Sequence, residues 1–187
     1  MKAIEALLQR VSVSKLIDPP PNQAEREIIF KAALRAADHG RLRPWRFLVI
    51  EGLGRERLGE LFARVAAEDD PALSQLALDR VRQKPLRAPM IVVVIACCET
   101  HPKVPLIEQI ISAGAAAQNM ITAAYALGLG AIWRTGDLAY DERITDGLGL
   151  RKLEQIVGFV YLGTPGVPMD VAPAVNYQDF FGQWPPV

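Results

Sequence analysis

Residues 90–96 read Met90-Ile91-Val92-Val93-Val94-Ile95-Ala96, an apolar run without polar alternation. The run predicts a β-strand, and it is the strongest strand signal in the chain. A strand that lacks alternation is covered on both of its faces. We therefore expect a β-sheet that lies between two layers of helices.

Downstream of this strand, residues 109–133 contain no charged side chain. That length is enough for a membrane span, so two interpretations are open. The segment is rich in small residues and holds Ser112, Gln118, Asn119 and Thr122, which favours a helix in the core of the protein. We expect this helix over 107–127, with Gly128 as its stop, and then a strand.

The remaining pattern predicts a domain with four strands. Asn22 suits the N-cap of a helix that runs to about Ala37, and Gly40 suits the left-handed position after it. Helices are predicted at 3–9, 23–37, 55–67, 71–83, 107–127 and 141–148, and strands at 47–50, 90–96, 130–133 and 156–162. With 187 residues, we expect a single domain over 1–187 and an α+β, three-layer fold.

Composition excludes several classes of function. Lys plus Arg and Asp plus Glu both number 21, so there is no excess charge that would attract nucleic acid or an anionic membrane surface. The only cysteines, Cys97 and Cys98, are adjacent, which argues against a stapling disulfide and against a zinc site. The N-terminus has no long apolar segment typical of a signal peptide. We expect a cytoplasmic protein without a bound metal.

The end of the chain, about 166–187, combines four prolines with four aromatic residues. It is too rich in proline to build its own core and too aromatic to be left in water. Two interpretations are open: the tail lies across a second subunit, or it packs back on its own domain.

Basic residues mark the candidate sites, whereas the common nucleotide and hydrolase motifs are absent: Gly-x-Gly-x-x-Gly, a Walker loop and Gly-x-Ser-x-Gly. Arg10 closes the first helix and is followed by Ser12 and Ser14, a combination that suits a phosphate. The alternative is a solvated arginine at a helix end. Trp133 and Arg134 follow a predicted strand, where ligands often lie, although Trp133 can also be a core residue.

A second basic segment ends the helix that begins after Asn22. Arg35 and His39 are four residues apart, so on a continuous helix they share a face. Arg41 and Arg43 follow directly, before Trp45. These groups suit an anionic, planar ligand, and an exposed basic helix end is the alternative.

Five pieces of the sequence, in order, carry a resemblance to a known family. Each piece is weak alone, and together they span nearly the whole chain. The chain resembles the nitroreductase family of FMN-dependent oxidoreductases, in particular its compact bacterial NAD(P)H nitroreductases. The matching pieces are Arg10-Val11-Ser12, 36–39 with Pro44-Trp45-Arg46-Phe47, 112–120, 127–136 and 157–165.

The resemblance implies an α+β sandwich with a mainly antiparallel sheet, and a homodimer that holds two FMN molecules at its interface. The C-terminal tail would exchange onto the partner subunit. By the same resemblance, the FMN site would consist of Arg10, Val11, Ser12, Arg35, His39, Arg43, Ala131, Ile132, Trp133 and Arg134. Arg10 and Ser12 would hold the phosphate and ribityl chain, and 131–134 would run beside the isoalloxazine and toward the phosphate.

Three positions depart from the family pattern. Val11 stands where many relatives have an arginine, and Arg43 stands where relatives usually have glutamine. Arg41 stands near a usual serine or asparagine. These two arginines either compensate for Val11 or change what the site accepts.

The resemblance also implies the reaction. NAD(P)H would pass a hydride to the flavin N5, and the flavin would reduce an electron-poor small molecule such as a nitroaromatic or a quinone. No side chain would act as the catalytic nucleophile, because the cofactor carries the chemistry. Arg35 or Arg43 would stabilise the reduced flavin at its N1–C2=O edge. The alternatives are a non-catalytic flavin-binding or flavin-storage module, and a dimeric interaction domain without flavin.

Overall fold

The computed structural model describes residues 1–185, in which six helices and five strands are found. The helices are α1 (Ala3–Gln9), α2 (Gln23–Ala33), α3 (Leu53–Asp69), α4 (Gln75–Arg82), α5 (Leu106–Ala126) and α6 (Glu142–Gly147). The strands are β1 (Leu16–Ile17), β2 (Trp45–Glu51), β3 (Met90–Cys97), β4 (Gly130–Arg134) and β5 (Glu154–Pro165). Four of these strands were predicted from the sequence. The one that was not predicted, β1, has two residues, which are too few to show a pattern in the sequence.

Every strand pairing in the sheet is antiparallel. The order is β2, β3, β5. On the far edge of β5, β4 pairs with residues 159–163 and β1 with residues 164–165, so the two short strands follow one another along that edge. The twelve residues of β5 are long enough to pair with β3 on one side and with both short strands on the other. The expected α+β fold with a mainly antiparallel sheet is therefore confirmed.

Two apolar cores cover the two faces of the sheet. Ile91, Val93 and Ile95 of β3 pack toward α3 and α6, whereas Met90, Val92 and Val94 pack toward α2 and α5. All of these side chains are fully buried. Each contributes about 1.5–3 kcal/mol by leaving water, so the strand is a main source of stability. The absence of alternation in 90–96 thus has the predicted cause.

Helix α5 is less completely buried than its sequence suggests. Its inner side packs on the sheet and on α2, and the buried amide of Gln109 is satisfied by the backbone of Glu99 and Val104. Its outer side leaves Ile107 60% and Ile111 62% exposed. Among the described residues, no helix has the length and apolarity that crossing a membrane requires.

Helix α2 ends at Ala33, so the prediction that it continues to about Ala37 is wrong. The carbonyl of Ala32 accepts from the Asn119 side chain, and the last turn tightens so that the Arg35 amide also donates to Ala32. His39 then lies in a separate 3-10 turn, His39–Arg41, which contains Gly40 with φ 73°. Arg35 and His39 therefore do not share a helix face.

The C-terminal tail does not fold back on its own domain beyond its first residues. Met169 packs against the core, but Val171 is 91% exposed. The tail aromatics Tyr177, Phe180, Phe181 and Trp184 are between 66% and 91% exposed. Pro186 and Val187, the last residues of the predicted tail, lie outside the described residues.

Candidate functional site

A backbone hydrogen bond joins the N-terminal basic segment to β4. The Val13 amide donates to the Ala131 carbonyl at 2.9 Å. A Cβ at Gly130 would lie 2.4 Å from Leu16 Cδ2 and 3.3 Å from Val13 Cβ, so a side chain there would displace Leu16. The structure therefore places the backbone of Val13, which follows Arg10, Val11 and Ser12, against residue 131 of β4.

The absence of a side chain at Gly158 makes room for the indole of Trp133. A Cβ there would lie 2.0 Å from Trp133 Nε1. The indole donates to the Val157 carbonyl at 3.3 Å. Trp133 and Ala131 belong to the core on the α2/α5 side, and this packing supports a structural role for Trp133.

Ile132 and Arg134, which alternate with Ala131 and Trp133 along β4, face the opposite side of the sheet, toward α3 and α6. Ile132 packs against the core on the α3/α6 side, and the Arg134 guanidinium lies 5.8 Å from the centre of the Tyr161 ring. Arg134 Nε is buried and has no hydrogen-bond partner in the described part of the chain. A buried donor of this kind is costly unless a ligand or water accepts from it. Arg134 thus indicates a binding site, although Arg55 Nε and Asp38 Oδ1 are buried without a partner in the described residues in the same way.

Arg134 borders a cavity of about 660 Å³ on this side of the sheet. Aromatic side chains and three cations line it, and the volume lies within the usual range for sites of small molecules and cofactors. Burial raises the pKa of Tyr161, which stays a neutral phenol at neutral pH. The residues that define the cavity are Phe62, Lys84, Arg87, 132–138, Phe159 and Tyr161.

Lys84 and Arg87 are candidate site residues that the sequence reasoning missed. They occupy the 3-10 turn Lys84–Arg87, directly before β3. Their charges flank the buried Pro85, and this pattern next to the strongest strand was the available signal. With Arg134 they make the cavity positive. Of the two acids nearby, Asp69 forms an ion pair with Arg143, and Asp137 lies in the turn after β4.

The second group of predicted site residues lies elsewhere. Arg35 and Arg43 line a cavity of about 540 Å³ together with Trp45, at the β2 edge of the sheet. His39 Nδ1 lies 2.6 Å from a Glu108 carboxylate oxygen, which attaches its turn to α5. Strands β3 and β5 separate β2 from β4. Three strand spacings amount to about 14 Å, so the two groups do not meet in one chain.

A buried ion-pair cluster lies at the end of the sheet where β5 begins. Glu154 binds Arg46 through two hydrogen bonds of 2.9 and 2.7 Å and also binds Arg151. These cations hold the pKa of Glu154 far below its usual range. Burial and this carboxylate raise the pKa of the Cys97 thiol to about 11, so Cys97 is a poor nucleophile. Cys97 and Cys98 are both free.

A model of the nitroreductase family matches residues 7–164, most of the chain. The chain belongs to the nitroreductase family. It is 42% identical over 182 residues to a protein of Escherichia coli (strain K12) named "Putative NAD(P)H nitroreductase YdjA", with 96% of each sequence covered. A protein of Haemophilus influenzae named "Putative NAD(P)H nitroreductase" is 35% identical over 165 residues, which cover 88% of this chain and 89% of that protein.

Solved structures of the nitroreductase family agree with the fold. A nitroreductase-like family protein from Bacillus cereus superimposes with a TM-score of 0.85 at 21% identity, over 99% of this chain and 97% of that one. The nitroreductase NfnB from Sphigopyxis sp. strain HMH superimposes with a TM-score of 0.77 at 19% identity, over 98% of this chain and 99% of that one. The family resemblance inferred from the five sequence pieces is thus confirmed. Within the described residues, no cluster of potential metal ligands is found.

Proposed function

We propose that the protein is an FMN-dependent NAD(P)H oxidoreductase that reduces an electron-poor small molecule, such as a nitroaromatic or a quinone. The observation that carries the proposal is the buried, partnerless Arg134 Nε, which borders a cavity lined by aromatic and cationic side chains. Family membership adds support, since NfnB is described as FMN and NADPH-dependent, and a related structure from Desulfovibrio desulfuricans is described as "in complex with fmn".

The residues of the cavity fit the chemistry of FMN. The almost fully buried rings of Phe62 and Tyr161 border it, and its three cations suit the polar edge of a flat ring. Arg10 and Ser12 provide a guanidinium and a hydroxyl for a phosphate, beside the same strand. FMN supplies the hydride chemistry when it is bound, by accepting from NAD(P)H at N5 and passing electrons to the acceptor.

In this proposal, the side chains of the protein bind and orient the flavin. Arg134, Lys84 and Arg87 would donate to the flavin N1–C2=O edge, and their charge would favour the anionic reduced ring. Arg35 and Arg43, the donors expected at that edge from the resemblance, do not line this cavity within one chain, so they would reach it only from a second copy. Backbone contacts along 131–134 would position the ring.

Arg35, His39 and Arg43 would come from a second copy of the chain. Their separation from β4 by two intervening strands supports a site that two subunits complete. The exposed stripe of α5 and the exposed tail aromatics supply apolar surface for such a homodimer. A cytoplasmic location, where NAD(P)H is available, is part of the same proposal.

The test is a visible spectrum under nitrogen, before and after NADPH or NADH is added. We expect the purified protein, after incubation with FMN, to absorb as a bound flavin and to bleach when either nucleotide is added. Addition of a nitroaromatic or a quinone should then restore the colour. Tight flavin that neither nucleotide bleaches would contradict the proposal in favour of a flavin-storage module. A protein that takes up no FMN would contradict both.

A further inference from the structure

Helix α3 provides one wall of the cavity that Arg134 borders. Phe62, Ala66 and Asp69 line this wall, and their spacing of four and three residues places them on one face of the helix. Asp69 is the last residue of the helix. The wall therefore ends in a carboxylate, at the edge of a cavity that also contains three cations.

The cations of the cavity have no carboxylate partner of their own. In residues 1–185, none of Lys84, Arg87 and Arg134 forms an ion pair. Two acids line the cavity with them, Asp69 and Asp137, and of these Asp137 has no ion pair in the same part of the chain. Charges near a protein surface attract each other more strongly than in bulk water, so a free Asp69 would neutralise part of the positive charge.

Asp69 is bound instead by an arginine outside the cavity. Arg143 Nη2 lies 2.6 Å from Asp69 Oδ1, and Arg143 Nη1 lies 3.3 Å from Glu68 Oε2. Both acids belong to the last turn of α3, where the carbonyl groups of the helix also favour a cation. Arg143 thus compensates the charge of Asp69 without lining the cavity itself.

Arg143 is fixed by the residue that caps α6. The Asp141 carboxylate accepts from the Arg143 backbone amide at 2.8 Å, from Nε at 3.0 Å and from Nη2 at 2.6 Å. The hydrogen bonds between the two side chains raise the pKa of Arg143 and lower that of Asp141, so both stay charged. Ile144, the next residue, is fully buried in the same core as Phe62, which sets the place of α6 against α3.

From this arrangement we propose that Arg143 is a positioning residue for the flavin site. It holds Asp69 at the end of α3 and so keeps this carboxylate from neutralising the three cations of the cavity. The benefit is largest for an anionic ligand, and the reduced flavin ring is an anion. The inference rests on the proposed function, in which this cavity holds the flavin.

The test is a double-mutant cycle of Arg143→Gln, Asp69→Asn and the combination of both. Fluorescence titration of the flavin-free protein with FMN measures affinity. Spectroelectrochemistry of the FMN-loaded protein measures the midpoint potential of the bound flavin. Two controls separate other effects: Arg26→Gln breaks an ion pair with Glu51, which does not line the cavity, and Arg80→Gln removes an exposed charge on α4.

We expect Arg143→Gln to bind FMN about threefold or more weakly and to have a more negative midpoint potential, because the freed Asp69 reduces the positive charge of the cavity. Adding Asp69→Asn to this variant should restore both values. The same substitution in wild type should change them less, because Arg143 already holds the carboxylate. A purely structural loss would not be reversed in this way. Arg143 is 39% exposed, so we expect the variants to fold, and the melting temperature checks this.

The inference is overturned if Arg143→Gln matches wild type and the two controls in both measurements. It is also overturned if Asp69→Asn has the same effect with and without Arg143, since the two charges would then act independently. Wild type that takes up no FMN would contradict the proposed function and this inference with it. Wild type that binds FMN while the cycle shows no coupling would contradict this inference alone.

Discussion

At the scale of single residues, the ionised carboxylate of Glu154 makes the stability of the sheet depend on pH. Its side chain is 3% exposed and is held by Arg46, which joins β2 to β5. Because its pKa is depressed in the folded state, Glu154 stabilises the fold fully above its unfolded-state pKa of about 4.3. This stabilisation is lost as the pH falls below that value toward the lower folded-state pKa.

Glu154→Gln should lower the free energy of unfolding at pH 7 by about 3 kcal/mol, because Arg46 loses its buried partner. Urea unfolding between pH 7 and pH 3 measures the effect. The difference between variant and wild type should narrow as the pH falls below about 4.3, because the Glu154 carboxyl of the unfolded wild-type chain then becomes protonated while that of the folded chain stays ionised. Glu27→Gln, at the exposed pair with Lys31, should change stability little at any pH. A constant gap between Glu154→Gln and wild type would contradict this role.

Gly158 leaves the space that the indole of Trp133 occupies. A Cβ there would overlap Trp133 Nε1 at 2.0 Å and approach the Arg134 carbonyl at 2.9 Å. Gly158→Ala should therefore displace the indole, cost about 1–3 kcal/mol and shift the Trp fluorescence. Gly54→Ala is the control, because its Cβ would meet only an Ile50 methyl group, at 3.2 Å. Equal stability and fluorescence in both variants would show that the indole is not held as described.

Arg134 should be more important for the flavin than for the fold. Arg134→Gln removes the buried guanidinium at the cavity, and we expect FMN to bind about tenfold or more weakly. The melting temperature of the flavin-free protein should change little, since the Nε atom satisfies no described partner. Fluorescence titration with FMN measures the affinity, with Arg80→Gln as the control. Unchanged affinity would remove Arg134 from the flavin site.

At the scale of elements, strands and long helices were predictable because each has a strong local pattern. The run 90–96 and the uncharged segment 109–133 correspond to β3, α5 and β4. The end of α2 was not predictable, because it depends on Asn119, which is 87 residues away along the chain from Ala32. Residues 34–37 were therefore misplaced onto the helix, and with them the shared face expected of Arg35 and His39.

The tail is the element whose role is tested by deletion. Chain termination after Asp170 keeps Met169, which packs against the core, and removes the exposed aromatic residues. We expect the shortened monomer to melt near the wild-type monomer temperature, because few core contacts are lost, while dimerisation and FMN retention weaken. Sedimentation and flavin content measure the two effects.

A second variant separates the tail side chains from chain length. Replacing Phe180, Phe181 and Trp184 with serine in the full chain should reproduce the loss of the dimer, since these side chains are the exposed apolar surface of the tail. An unchanged dimer with full flavin content in both variants would indicate that the tail has no role at the interface.

At the scale of the whole molecule, the candidate site falls into two halves on opposite edges of one sheet. The half at β4 was accessible from sequence, because Arg10, Ser12 and Arg134 occur in family motifs. The cations Lys84 and Arg87 were not, since only the fold brings their turn to the cavity. The distance between the halves depends on the strand order, which local patterns do not encode. A dimer in which each copy completes the site of the other reconciles both halves.

Native mass spectrometry of the protein after incubation with FMN tests this account most directly. Each chain has a mass of 20.5 kDa. We predict a particle of two chains that carries two FMN molecules. A single chain, or a dimer that retains no FMN under conditions that preserve other flavoproteins, would contradict the central claim that paired chains together hold the cofactor.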